Sequence, residues 1–332
     1  MTTVSIVINN YNYGRFLSQA IDSAIGQTDQ PTEVIVVDDG STDNSHEILE
    51  DYRDRVVVIR KPNGGQASAL NAGFRASTGE MVVFLDSDDA LFPSAVGTMK
   101  SLWRDDIARI QFPLEVIDAA GQPLGRYVGG AAAIPKPTLG PFGVGSPTSG
   151  NAFSRRILES VMPIPESDWK ICADAVLTAA SSLFGEVVSL NRPLGKYRVH
   201  GKNRIAGGPE SVAEVRRAIQ SDVNLHRFLR RLAPDQIGTF EQWLSRYPQH
   251  WVGRISSLRE SPRDHPWDDE RFELMSRAVA ATWRQPYWNV RRKLAYSAWV
   301  VGYGISPKRI AQTLRRIEGR GREGLPGFLL GR

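Results

Sequence analysis

The chain is poor in the features that staple, anchor or export a protein. One cysteine, Cys172, stands among 332 residues. That excludes an internal disulfide and a cysteine-built zinc site, and it fits a reducing compartment. No apolar run approaches the roughly 18 residues that span a bilayer. The first apolar run, Val4–Ile8, stops at Asn9-Asn10 with no basic segment before it, far short of a signal sequence. A cytoplasmic chain is therefore expected. No G-x-G-x-x-G follows that run and no G-x-x-x-x-G-K-[ST] occurs anywhere, which counts against dinucleotide and P-loop chemistry.

Charge is modest in sum and uneven in place. The net charge is +5, yet residues 285–332 alone hold ten Lys/Arg against two Glu. That tail carries Trp288, Leu294, Tyr296, Trp299, Val300 and Val301 among Arg291, Arg292 and Lys293, followed by Arg309, Arg315 and Arg316. Two readings stay open: a basic, Trp-bearing helix lying peripherally at the inner face of a membrane, or a packing helix with a solvated basic face. Nucleic-acid binding fits less well, because the basic excess is confined to the tail.

What is present is a strand–helix alternation over the first hundred residues. Val4–Ile8, Glu33–Val37, Val56–Ile59 and Met81–Leu85 read as buried parallel strands. Phe16, Leu17, Ala20, Ile21 and Ala24 recur at helical spacing between the first two. Such alternation predicts a doubly wound α/β fold. A Gly/Pro-rich stretch from 121 to 150 is expected as an irregular loop over the active site. Helices are expected near Arg155–Val161 and Ala173–Phe184, a strand at Val187–Leu190, and helices beyond Asn203, with Pro248 breaking one of them. The domain expectation is residues 1–204 for the α/β domain and 205–332 for a helical, basic extension.

Two of the strands end in acids, Asp38-Asp39 and Asp86-Ser87-Asp88-Asp89. Open α/β sheets bind ligands at the carboxyl ends of their strands. Carboxylates there would repel a nucleotide diphosphate unless a divalent cation lay between them. The pattern predicts a metal-bridged sugar nucleotide, with Mn²⁺ or Mg²⁺ as the hard cations that suit carboxylate oxygens.

Ser5–Tyr11, Val36–Asp43, Asn63-Gly64-Gly65 followed by Ala69–Gly73, Gly79-Glu80 and Leu85–Asp89 stand in an order and spacing that resemble the family 2 glycosyltransferases. The resemblance covers roughly residues 3–203. It implies a nucleotide-diphospho-sugar transferase (GT-A) fold, three-layered αβα with a mostly parallel mixed sheet, and inverting sugar transfer.

By that resemblance Asp39 accepts a hydrogen bond from the nucleotide base, Asn9 and Tyr11 line the base, and Gln66 and Asp86 complete the nucleotide site. A carboxylate suits the N3–H of uracil or thymine, so a UDP- or dTDP-sugar donor is implied. Asp88 and His200 are the implied metal ligands, with Asp86 and Asp89 as further candidates. Asp174, in Ala173-Asp174-Ala175-Val176-Leu177, is the implied general base, although Ala173 stands where the family carries a Glu. Ser149, Gly150 and Asn151 fall on the acceptor side, and Arg198 and Lys202 are candidate diphosphate partners. Each residue also has a plainer reading, in a cap, a turn or a packed loop. The Gln-X-X-Arg-Trp element of processive synthases is absent, so a single transfer to a saccharide or lipid-linked hydroxyl is expected. A nucleotidyltransferase, or a non-catalytic sugar-nucleotide binder or scaffold, are the alternatives.

Overall fold

The structure, a computed structural model, describes residues 2–129, 146–201, 211–286, 288–307 and 310–311. Residues 130–145 of the Gly/Pro-rich stretch, Lys202, Arg309, Arg315 and Arg316 lie outside the described residues. The described chain forms two compact units, residues 2–201 and residues 211–311.

The first unit is a mixed α/β layer structure. Its strands are β1 (Val4–Asn10), β2 (Glu33–Asp38), β3 (Val57–Arg60), β4 (Met81–Asp86), β5 (Ala90–Leu91), β6 (Ile107–Gln111), β7 (Leu114–Ile117), β8 (Pro123–Val128), β9 (Asn151–Ser154), β10 (Glu186–Ser189) and β11 (Gly195–Arg198). Its helices are α1 (Gly14–Ile25), α2 (Ser45–Tyr52), α3 (Gln66–Ala76), α4 (Ala95–Leu102), α5 (Arg155–Val161) and α6 (Asp174–Phe184). Seven strands make one sheet in the order β10-β6-β9-β4-β1-β2-β3. All neighbours in it are parallel except β9, which runs antiparallel to both β4 and β6. This is the mostly parallel mixed sheet expected. A second sheet, β5-β11-β7-β8, joins strands far apart in sequence. Part of the stretch expected to be irregular is thus a strand, β8, paired with β7.

Alternation along each strand divides the core. Val4, Ile6 and Ile8 pack with Val34, Val36, Val83 and Leu85 against Leu17, Ala20 and Ile21 of α1 and Leu49 of α2. The opposite side of β1 meets α3. A Cβ at Gly73 would lie 2.2 Å from a methyl of Val7, so glycine lets this helix settle onto the sheet. The right-handed crossover rule requires α3 to take that side, because β3 leads back across the sheet to β4.

The second unit is helical: α7 (Val212–Leu232), α8 (Phe240–Leu244), α9 (Pro248–Glu260), α10 (Arg271–Trp283) and α11 (Val290–Ile305). Ser211 and Glu214 form a capping box at the start of α7. Pro248 occupies the first turn of α9, where its missing N–H costs nothing, so the expected break becomes a helix start. In α11, Val300 and Tyr303 are buried while Leu294 and Val301 are exposed. No helix among the described residues is long and apolar enough to cross a membrane.

Candidate active site

The tips of β1, β2 and β4 lie level. Asn9 is in register with Asp86, and Asn10 with Asp38. The two asparagines take different tasks because successive side chains of a strand point to opposite faces. Asn10 is buried and its amide reaches Asp38 (2.9 Å), Ser41 (3.1 Å) and Ser45 (2.9 Å), tying the loop after β2 to the sheet. Asn9 donates to Asp86 Oδ1 at 2.9 Å. Tyr11, one residue further on, stands 46% exposed at the rim.

Asp39 is buried and holds the glycine turn that follows β3. Its Oδ1 accepts from Gly64 N–H (3.0 Å) and from the Lys61 ammonium, and its Oδ2 accepts from Gly65 N–H (2.7 Å). One lone pair on Oδ2 is left for a further donor. The same turn leads into Gln66, whose Oε1 accepts from Ala173 N–H at 2.9 Å while its own N–H donates to Lys170 O. The amide oxygen of Gln66 thus holds the start of α6, while its Nε2 keeps donors to offer elsewhere. Asp39 and Asp174 are linked through three consecutive residues.

Beyond β4 the chain turns tightly, with Asp89 N–H donating to Asp86 O at 3.0 Å. Asp88 Oδ2 lies 3.0 Å from His200 Nε2. The imidazole is fully buried and sits against the rings of Tyr13 and Phe16 at 5.3 and 5.2 Å. Strand β11 brings His200 there: Arg198 N–H donates to Asp89 Oδ1 at 2.9 Å, and its guanidinium donates to Asp88 O, Asp118 O, Ala119 O and Gln19 Oε1. Arg198 is 2% exposed. A guanidinium so committed braces the acidic turn and does not reach out to a diphosphate.

Ser149, Gly150 and Asn151 are all buried beneath that turn. Ser149 Oγ donates to Asp89 Oδ2 (2.6 Å) and accepts from Asp86 N–H (3.0 Å). Asn151 accepts from Arg109 at 2.7 Å and donates to Pro147 O. Thr148, which sequence reading passed over, is buried close enough to both Asp86 and Asp174 to lower the pKa of both carboxyl groups. Its only mark in the sequence is a polar Thr-Ser-Gly-Asn run emerging from the Gly/Pro-rich stretch.

Crowding shifts these acids together. Burial, then the charges of Asp88 and Asp174, push Asp86 up to about 7 despite hydrogen bonds from Asn9 and Thr148. Burial and the charges of Asp88 and Asp86 raise Asp89 well above the usual carboxylate range. Burial also raises Asp174, offset in part by Thr148 and by the Ala175 N–H at the start of α6. A carboxylate raised this way is a stronger base when ionised. The Asp88–His200 pair offers one hard oxygen and one imidazole nitrogen, a donor set that suits Mg²⁺ or Mn²⁺. Among the described residues no group of three His, Cys, Asp or Glu is arranged to enclose an ion by itself. Two such donors would leave most of a cation's shell to other ligands.

Residues 5–112 match the family model described as glycosyl transferase family 2. An uncharacterized glycosyltransferase of Nostoc is 33% identical over 238 residues, 67% of this chain and 72% of that protein. The chondroitin synthase of Pasteurella multocida is 44% identical over 96 residues, 28% of this chain and 10% of that one. Among solved structures, Staphylococcus aureus TarS 1-349 in complex with UDP-GlcNAc aligns with a TM-score of 0.55 at 17% identity, covering 97% of this chain and 90% of that one. At that identity the likeness is one of fold.

Proposed function

The chain belongs to glycosyltransferase family 2, and from that premise we propose that it moves a sugar from a UDP- or dTDP-sugar to a hydroxyl of a saccharide or lipid-linked acceptor, with inversion and one sugar per encounter. The observation that carries this reading is the nearness of Asp174, at the start of α6, to the acidic tip of β4, close enough for its charge to raise Asp86.

The roles follow from the surroundings of each group. The remaining lone pair of Asp39 Oδ2 accepts the N3–H of uracil or thymine; a base with an acceptor there would be repelled. Asn9 and Tyr11 line the base, and Asp86 faces the ribose. Asp88 and His200 would hold a divalent cation, which when bound neutralises charge on the departing diphosphate. Asp174 accepts the proton of the acceptor hydroxyl as that oxygen attacks the anomeric carbon. Burial raises its pKa, and a carboxylate raised this way takes a proton more readily than an ordinary one. Likeness of fold to a protein that holds UDP-GlcNAc supports a uridine nucleotide.

A panel of UDP- and dTDP-sugars with Mn²⁺ and hydroxyl-bearing acceptors, read as nucleoside diphosphate release, tests the reading. The Asp174→Asn protein should lose turnover by roughly 10²–10⁴-fold, the usual worth of a general base, and keep its thermal stabilisation by UDP. Undiminished turnover overturns the base assignment. Failure of UDP and dTDP to stabilise the unmutated chain overturns the donor class.

A further inference from the structure

The helical unit holds a site that sugar transfer does not use. Near the C-terminal end of α7 is a surface cavity of about 490 Å³ lined by Val223, Arg227, Arg230, Arg231, Pro234 and Phe240. That volume falls within the range of small-molecule sites. Arg227, Arg230 and Arg231 stand at i, i+3 and i+4, which puts three guanidinium groups on one helix face. All three are exposed. None has an acidic partner among the described residues, although the same unit pairs Arg254 with Asp269 and Arg277 with Glu273 and Glu241. The two acids nearest in sequence do not neutralise the cluster. Asp222 is buried against His250 at 2.6 Å, and Asp235 pairs with none of the three.

A helix dipole accounts for basic residues in a last turn. It explains Arg230 and Arg231, but neither Arg227, which lies before that turn, nor the cavity beside them. The walls are also held in place. His226, buried under the site, bonds through Nε2 to Gly238 O at 2.9 Å and packs on Phe240 at 5.1 Å, fixing the chain between α7 and α8. Arg231 lies over the ring of Phe228, 5.2 Å from its centroid. Like charges gathered around a partly apolar hollow raise the free energy of the empty state, and an anion relieves that repulsion. Guanidinium groups match the oxygens of a phosphate in a planar, forked geometry that ammonium groups lack.

We propose that this cavity binds a phosphate group, with Arg227, Arg230 and Arg231 on its oxygens and the body of the ligand against Val223, Pro234 and Phe240. The phosphate is free, or it is borne on a lipid headgroup. The proposal is independent of the chemistry of the first unit.

The full chain in EDTA, which suppresses cation-dependent binding elsewhere, is titrated with inorganic phosphate at low salt. It is separately sedimented with phosphatidylcholine vesicles with and without phosphatidylglycerol. The comparison is between Arg227→Gln/Arg230→Gln/Arg231→Gln and a charge-matched control, Arg217→Gln/Arg263→Gln/Arg284→Gln. Saturable phosphate binding that weakens at least tenfold in the first variant alone supports a site for the phosphate group itself. Binding only to phosphatidylglycerol vesicles, lost in the first variant alone, supports a lipid-borne phosphate. Equal loss in both variants, loss in neither, or no binding to any probe overturns the proposal. Melting temperature checks that both variants fold, and single substitutions at Arg227 and Arg230 carry the same comparison if the triple variant is destabilised.

Discussion

The carboxylates of Asp86 and Asp174 lie close enough for the charge of Asp174 to raise Asp86, and the buried Thr148 side chain stands beside both. A hydroxyl carries a single proton and can donate to one acid at a time, so it stabilises one ionised carboxylate while the other keeps its proton or finds a cation. Thr148→Val removes the hydroxyl at nearly constant volume. Turnover should fall by about tenfold to a hundredfold as Asp174 loses its donor and its orientation, with UDP affinity changed by less than about threefold. Steady-state kinetics beside a UDP titration check this. The apparent melting temperature should drop as well, since a buried group left without its partner costs about 1–3 kcal/mol.

The raised pKa of Asp86 sets a pH dependence with a definite sign. Its folded value is about 7 against 3.8 for the free group. The folded state therefore binds the proton more tightly, and the contribution of Asp86 to stability is greatest below about pH 4 and lost as pH rises through 7. At 1.36 kcal/mol per unit the ceiling is about 4 kcal/mol. Asp86→Asn removes the charge and should melt higher than the unmutated chain at pH 8 in EDTA, with the difference vanishing near pH 4. A melting-temperature series across that range measures it. Divalent cation should act in the opposite sense, stabilising the unmutated chain more at pH 8 than at pH 5, because ligation needs ionised oxygens.

The strand tips were legible because a buried parallel strand is a continuous apolar run and its end is marked where acids begin, as at Leu85-Asp86 and Val37-Asp38. The β6 side of the sheet was not. Strand β6 is wholly buried yet contains Arg109 and Gln111, whose partners Asn151 and Ser189 lie 42 and 78 residues away. Polar residues whose side chains reach such distant partners break the apolar run by which a strand is recognised. Thr148 escaped for the same reason, since it meets an acid on each side of it in sequence and sits in a stretch without periodicity. Asp39 and Gln66 were placed by the family resemblance. Their hydrogen bonds to the glycine turn and to Ala173 depend on how α3 and the approach to α6 pack, which spacing does not encode.

Through its bond to Ala173 N–H, Gln66 should act as a positioning residue for Asp174. The bond needs only an acceptor, so a carboxylate can replace the amide oxygen and an alanine cannot. Gln66→Glu should retain most of the turnover, whereas Gln66→Ala should lower kcat by roughly tenfold, within the 0.5–1.5 kcal/mol typical of one neutral hydrogen bond, with the donor KM little changed. A residue contacting nucleotide instead would raise the donor KM in the alanine variant and respond to the added charge of glutamate. The split between kcat and KM across the two variants separates these roles.

Gly65 joins the turn held by Asp39 to the segment preceding Asp174, and its backbone leaves no room for another residue. Its φ is +86° with ψ 179°, a region open essentially to glycine alone, and a Cβ there would lie 2.7 Å from Lys170 O. Gly125 has a comparable φ of +66°, but a Cβ there meets nothing within 4 Å. Both alanine variants incur backbone strain of about 1–3 kcal/mol; only Gly65→Ala also pushes the chain at Lys170 away. Gly65→Ala should therefore melt lower than Gly125→Ala, and it alone should lose UDP affinity, because moving Gly65 withdraws an N–H from Asp39. Equal melting temperatures with unchanged UDP affinity would mean that Lys170 yields without cost and that the turn and the base do not communicate.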